Sequence, residues 1–151
     1  MSLSLRICFT SPSISVRTVV NDLFNLIKLG AKPDAENFQQ VHESIKLAYR
    51  IINSSSDAIV ICEAEPIDEP GPRIVYVNET FVKDTGYSAE EVIGKTPRIL
   101  QGPKTDPAAR LRMRESFKKW KPIREDVLNY RKSGEEFWVS LNIFPIADET
   151  G

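Results

Sequence analysis

The order of strand-like and helical segments predicts an α+β domain built on an antiparallel sheet. Residues 58–64 and 73–77 are short runs rich in β-branched side chains, and residues 123–131 and 135–146 are longer alternating runs. Short capped helices and one longer helix are predicted between these two pairs. Strands that come in adjacent pairs, with the helices grouped between them, favour antiparallel hairpins over alternating βαβ units.

The length and composition fit one globular domain. The chain has 151 residues, of which 41% are hydrophobic and 27% charged, and no apolar run approaches the roughly 18 residues of a membrane-spanning helix. Two cysteines, Cys8 and Cys62, are too few for a disulfide framework or a multi-cysteine metal site. We therefore expect a cytoplasmic protein with no membrane segment in this stretch.

The leader, residues 1–17, supports two interpretations. It is rich in serine and lacks acidic residues, which is typical of a disordered leader or a transit peptide. However, Leu3, Leu5, Ile7 and Phe9 alternate with other residues at the period of a half-buried strand. The leader is therefore expected to be either disordered or a strand.

Residues 18–53 are expected to form flanking helices before the main domain, residues 54–151. The first runs from about Val19 to Leu29, and the second from Asp34 to about Asn53. Apolar residues recur in the second helix at spacings of three and four, so coiled-coil pairing and docking on the domain's own sheet are both open.

Capping residues define the helices between the strand pairs. Asn78 is a predicted N-cap for Glu79–Thr85, and Gly86 is placed to end that helix. Ser88 and Glu91 have the spacing of a capping box. Asp106 followed by proline then begins a helix that reaches about Lys119, with four apolar residues predicted on one face: Ala109, Met113, Phe117 and Trp120.

These motifs resemble the PAS family of sensory domains over residues 51–150. The segments that carry the resemblance are Ile74–Phe81, Thr85–Ser88, Glu90–Gly94, Asn129–Gly134 and Phe137–Trp138. The resemblance implies an antiparallel sheet with short helices curled over one face around a pocket. It also implies a non-catalytic sensor or interaction module joined to an output domain, such as a histidine kinase or a cyclic-dinucleotide enzyme.

The segment Gly94–Pro103 is similar to the flavin-binding light-oxygen-voltage branch of that family, whose motif reads G-x-N-C-R-F-L-Q. Gly94, Arg98 and Gln101 match this motif. Pro97 stands where the branch has the cysteine that bonds to the flavin, and Thr96 stands where it has a flavin-contacting asparagine. The resemblance therefore implies a module without the photochemical thiol.

Other contacts of that branch carry over one by one. Arg98 and Arg114 match its two arginines for the flavin phosphate, and a guanidinium suits a phosphate because it offers paired donors. Gln101 and Asn129 match polar ligand contacts, whereas Val139 replaces a ring-binding asparagine. The cofactor-binding candidates are Thr96, Arg98, Gln101, Arg114, Asn129 and Val139. Flavin mononucleotide (FMN) is one candidate ligand, and an apolar ligand or a pocket filled by side chains are the others.

Other chemistry finds little support in the sequence. Residues 95–132 hold twelve Lys/Arg and four Asp/Glu, but they lack the interleaved aromatics and reading motifs of nucleic-acid-binding domains. His42-Glu43 has the spelling of a histidine kinase phosphoacceptor pair, although a solvated histidine explains it better. We identify no catalytic or metal-binding constellation. A structural dimerisation domain without a ligand and an enzyme fragment remain as rival interpretations.

Two expectations concern the sheet itself. Its face opposite Asn129 should carry Leu128, Tyr130, Trp138 and Phe144, which predicts cover by the flanking helix or by a second subunit in a homodimer. The resemblance also implies a fifth, central strand that would follow residues 148–151, so we expect that strand to be missing from residues 1–151. We expect Ser2–Phe9 or a strand of a partner chain to fill its place, or else direct pairing of the two open edges.

Overall fold

The computed structural model describes Leu3–Thr10, Lys46 and residues 49–146, in which residues 49–53 are helical. The predicted helix from Val19 to Leu29 and most of the one from Asp34 lie outside the described residues. The further elements, in chain order, are β1 (Leu3–Thr10), β2 (Ala58–Glu63), β3 (Ile74–Val77), α1 (Glu79–Thr85), α2 (Ala89–Val92), a 3-10 helix (Pro97–Leu100), α3 (Pro107–Lys118), β4 (Ile123–Tyr130) and β5 (Glu136–Ile146).

The five strands form one sheet in the order β3-β2-β1-β5-β4. β2 and β3 pair antiparallel, and so do β4 and β5, as in the pair Leu128 and Trp138. Both hairpins predicted from the sequence are therefore confirmed, and so is the α+β class.

β1 occupies the central position, between β2 and β5. Leu5 is in register with Ala58 of β2 and with Leu141 of β5. The expectation that Ser2–Phe9 fills the central slot is confirmed by this pairing. The direction differs from that of an antiparallel sheet, because β1 pairs in parallel with both neighbours. Since β2 and β5 run the same way, any strand between them must be parallel to both or antiparallel to both.

The core lies between this sheet and the helices that connect β3 to β4. Burial alternates along β2, as expected for a strand with one face in the core. The helices contribute Phe81, Val92 and Leu100, each at most 2% exposed. Fully burying a large apolar side chain stabilises a fold by about 1.5–3 kcal/mol. The short helices are therefore held by packing on the sheet, because helices of this length are not stable alone.

The predicted caps are confirmed. The Asn78 side chain accepts a hydrogen bond from Phe81 N, and Gly86 ends α1 in the left-handed conformation at φ 78°. The Asp106 carboxylate accepts from two backbone amides at the start of α3. The apolar face predicted for α3 is wrong at Trp120, which is 42% exposed. The helix ends at Lys118, and Trp120 has a φ of 53°, so its side chain leaves the helical face.

The outer face of the sheet only partly matches the expectation. Trp138 is 58% exposed, and Leu128 and Phe144 are half-buried. Tyr130 does not belong to an open patch, because its ring packs against Gly102 and its hydroxyl accepts a hydrogen bond from Lys104 N. It lies near the end of an edge strand, where a side chain can reach over the edge. Homodimer formation through this face remains a prediction, and so does the division of the chain at residues 17 and 53.

Candidate functional site

A cavity of about 800 Å³ lies between the sheet and the helices and opens to solvent on one side. Val127, Leu141 and Ile143 of β4 and β5 form its apolar floor. The 3-10 helix and α3 supply the facing apolar wall, which includes Leu100 and Met113. A concave, mostly apolar space of this size is typical of small-molecule sites.

Five of the six residues predicted to bind a cofactor line this cavity: Thr96, Arg98, Gln101, Arg114 and Asn129. The sixth, Val139, is 2% exposed and is not among the residues of the described part that form the cavity wall. It is in register with Val127 of β4 and Leu3 of β1, and its buried side chain belongs to the hydrophobic core. That these residues bind a cofactor remains a prediction.

The two arginines lie at one end of the cavity and are paired with acids of the loop between β2 and β3. Arg114 Nε donates to Asp68 Oδ1 at 2.7 Å. Arg98 donates through Nη1 to the carboxylate of Glu69. The hydrogen bond from Arg114 lowers the pKa of the Asp68 carboxyl below its ordinary value, and the charges of Lys118 and Arg98 act in the same direction.

The polar groups beside the cavity floor are satisfied by the backbone. The amide nitrogen of Asn129, oriented as the surrounding carbonyls require, donates to Leu100 O and Leu128 O at 3.3 Å each. Thr105 is 3% exposed; its hydroxyl donates to Leu128 O at 2.7 Å and accepts from Gly102 N at 3.0 Å. Thr105 thus fixes the loop after the 3-10 helix onto β4. The sequence does not reveal this role, because a threonine before a helix cap carries no distinctive signal.

The position of the expected photochemical cysteine is filled by Pro97, which lines the cavity. Cysteine is absent from the described residues that form the wall. Cys62 is fully buried in β2. Nothing in the described wall therefore supplies a thiol to a bound ring.

A buried polar junction connects the helix that ends near Asn53 to the sheet. Asn78 is 0% exposed; its Oδ1 accepts from Ile59 N at 2.9 Å, and its Nδ2 donates to Ile52 O at 3.1 Å. Asn53 Nδ2 donates to the Tyr76 hydroxyl at 3.0 Å. The sequence identified Asn78 only as a helix cap, and its second role depends on contacts that are distant along the chain.

The part of the chain that the structure describes gives little support to a metal site, a membrane-spanning helix or a basic binding surface. Within it, we find no cluster of three or more His, Cys, Asp or Glu side chains that could hold a metal ion. None of its helices is long and apolar enough to cross a membrane. The basic face of α3 is partly neutralised, because Arg112 donates to Glu125 at 2.7 and 2.9 Å and Arg114 pairs with Asp68.

A five-stranded sheet with short helices folded over one face and a ligand-sized cavity between them is an architecture found in small sensory domains. The chain belongs to the PAS domain family, whose model matches residues 56–151. Its relatives support the light-oxygen-voltage branch. A blue-light-activated histidine kinase of Brucella ovis is 45% identical over 82 residues, which are 54% of this chain and 17% of that protein. The chain therefore spans about a sixth of the length of the curated relatives it matches.

Solved structures agree with this assignment. The light-oxygen-voltage domain of a blue-light activated histidine kinase of Erythrobacter litoralis is 40% identical with a TM-score of 0.50, covering 52% of this chain and 72% of that chain. The light-state structure of the blue-light photoreceptor Aureochrome1 domain is 30% identical with a TM-score of 0.57, covering 70% and 79%. An RNA-binding light-oxygen-voltage receptor is 28% identical with a TM-score of 0.63, covering 70% and 29%.

Proposed function

We propose that this chain is the sensory module of a larger signalling protein and that a small molecule in the cavity changes the output of a neighbouring domain. The observation that carries the proposal is the cavity of about 800 Å³, which is lined by the sheet and helices of the segment that matches the family. The relatives named as blue-light-activated histidine kinases support a signalling context. The output domain we propose is a histidine kinase or a cyclic-dinucleotide enzyme, and the chain itself is not catalytic.

The signal would leave the cavity through the sheet and the Asn78 junction. Leu141 and Ile143 line the cavity and are in register with β1, which in turn pairs with Ala58 and Val60 of β2. Asn78 joins the start of β2 to the helix at Ile52. A ligand that prefers one packing of this sheet would thus shift the population of helix orientations.

FMN fits the cavity wall poorly as the wall stands. The donors of Arg98 and Arg114 that a phosphate would use face carboxylates of the protein's own chain. Val139, which stands where the flavin-binding branch has a ring-binding asparagine, has no polar group and is not part of the described wall. We therefore propose a sensor whose ligand is not held by the contacts of the flavin-binding branch.

The test compares occupancy of the cavity in three forms of the protein. Native mass spectrometry and absorbance of the purified wild type should detect a releasable small molecule. Leu141→Trp should abolish it, because residue 141 lines the cavity, whereas Asn142→Trp on the exposed face should retain it. Hydrogen exchange in residues 49–57 should change with occupancy only in the wild type and in Asn142→Trp.

A purely structural dimerisation domain predicts a different result. In that case neither a copurifying molecule nor a ligand-dependent change in hydrogen exchange would be found, and the Leu141→Trp and Asn142→Trp forms would differ only in stability. That outcome would overturn the sensory proposal.

Illumination separates this module from its light-sensing relatives. Because Pro97 has no thiol and Cys62 is buried away from the wall, flavin-loaded protein should not form a cysteinyl adduct in blue light. The measurement is the flavin absorbance before, during and after illumination. A bleach that recovers in the dark and disappears in Cys62→Ser would contradict this expectation.

A further inference from the structure

The loop between β2 and β3 closes one end of the cavity with acidic side chains. Asp68, Glu69 and Pro72 of this loop line the cavity. Gly71 has a φ of +94° and lies so close to Arg98 that a Cβ at this position would be 3.4 Å from the guanidinium carbon. The loop therefore rests directly on the arginine end of the site.

The contacts of the loop use the donors that an anionic ligand would need. Arg114 turns Nε and Nη2 toward the same Asp68 oxygen, and this edge of the guanidinium is one that binds carboxylates and phosphates. Arg98 donates through Nη1 to Glu69. The protein's own carboxylates thus stand where the negative group of a ligand would stand.

Two of the cations at this end are already paired with acids. Two carboxylates face the Arg98 and Arg114 guanidiniums, while Arg110 also lines the wall and the charge of Lys118 acts on Asp68. The Arg98 and Arg114 side chains are 39% and 45% exposed, so water and salt screen both ion pairs. An anionic ligand can displace such acids, but it must break both pairs to reach both arginines.

We propose that Asp68 and Glu69 act as an internal counter-anion that sets the ligand class of the cavity, favouring an uncharged apolar molecule over its anionic analogue. This inference rests on the proposed function, because it names the kind of ligand that the sensory cavity takes. Two features support it together: an apolar floor of Val127, Leu141 and Ile143, and the pairing of Arg98 and Arg114 with carboxylates of the chain itself.

The test uses two fluorescent probes, phenylnaphthylamine and its anionic analogue anilinonaphthalene sulfonate, which share a ring system and differ in one sulfonate. The measured quantity is the ratio of their dissociation constants for the full chain. Asp68→Asn with Glu69→Gln should shift this ratio toward the sulfonate by about tenfold, since two exposed pairs are removed at once. The matched control, Glu63→Gln with Glu65→Gln, removes the same charge from exposed residues that do not line the cavity and should leave the ratio unchanged.

The outcomes separate the inference from the proposal on which it rests. Leu141→Trp should abolish binding of both probes, which shows that they occupy the cavity. Suppose that Leu141→Trp abolishes binding but the ratio of dissociation constants stays constant in the Asp68/Glu69 variant, or shifts equally in the Glu63/Glu65 control. The counter-anion role is then refuted and the sensory proposal stands. If neither probe binds any form in a manner sensitive to Leu141→Trp, the inference and the small-molecule sensor both fail.

Discussion

Replacing Asn78 should uncouple the helix before β2 from the sheet and destabilise the domain. Its side chain makes four hydrogen bonds inside the protein. Oδ1 accepts from Ile59 N at 2.9 Å and Phe81 N at 3.1 Å, and Nδ2 donates to Asp57 O at 3.0 Å and Ile52 O at 3.1 Å. Asn78→Ala removes all four and leaves one buried and three part-buried backbone groups without this partner.

The magnitude follows from these contacts. Loss of an N-cap side chain costs about 1 kcal/mol. The half-buried backbone amide of Ile59, left without its acceptor, adds up to about 1–3 kcal/mol. With the two carbonyl oxygens also weakened, we expect the free energy of unfolding to fall by about 3–5 kcal/mol. For a chain of this length, this corresponds to a melting temperature lower by about 10 °C.

The assay is urea unfolding followed by tryptophan fluorescence, with Asn142→Ala as the matched control because Asn142 is exposed on β5. Surface changes of that kind stay within about 0.5 kcal/mol. Hydrogen exchange should also accelerate in residues 49–53 in Asn78→Ala, because Ile52 O loses its donor. The error of such comparisons is on the order of 1 kcal/mol. If the free energies of unfolding of Asn78→Ala and Asn142→Ala differ by less than this, the Asn78 contacts do not stabilise the fold as proposed.

Three further predictions test other parts of the molecule. Gly102→Ala should lower the free energy of unfolding by about 1–3 kcal/mol, because its Cβ would lie 2.3 Å from the Tyr130 ring. Adding Tyr130→Leu should restore most of the loss. A Gly102→Ala protein as stable as the wild type would contradict this packing. Arg114→Gln should raise the pKa of the Asp68 carboxyl toward its ordinary value of 3.8 in an NMR titration. Because the pKa is lowered in the folded state, the pair stabilises the protein above the ordinary pKa of the carboxyl, and this stabilisation is lost as the pH falls through the folded pKa. A titration of Asp68 that is unchanged in Arg114→Gln would show that the pair does not form in solution. Trp138→Arg should convert a dimer into a monomer in sedimentation, because Trp138 is 58% exposed on the outer face, and an unchanged mass would count against dimer formation through this face.

The sequence was sufficient for features that depend on neighbours close along the chain. The N-caps at Asn78 and Asp106, the left-handed end of α1 at Gly86 and the two hairpins all follow from local backbone geometry and side-chain alternation. The alternation in Ser2–Phe9 favoured a strand for the same reason, while the serine-rich composition left a disordered leader open. The resemblance to the light-oxygen-voltage branch, rather than any local pattern, implied that Arg98 and Arg114 belong to one site, and both line the cavity.

The remaining features depend on residues that are far apart in the chain, and the tertiary structure alone decided them. Alternation fixes which residues share a face, but not the direction of a strand, so the parallel pairing of β1 with both neighbours could not be predicted. The charges of Asp68 and Glu69 were visible in the sequence, but their positions against Arg114 and Arg98, 46 and 29 residues away, arise only when the loop folds over the cavity. Local sequence determines the elements and their caps. Which partner a binding side chain has is decided by the tertiary fold, because the fold sets which groups lie within hydrogen-bonding distance of it.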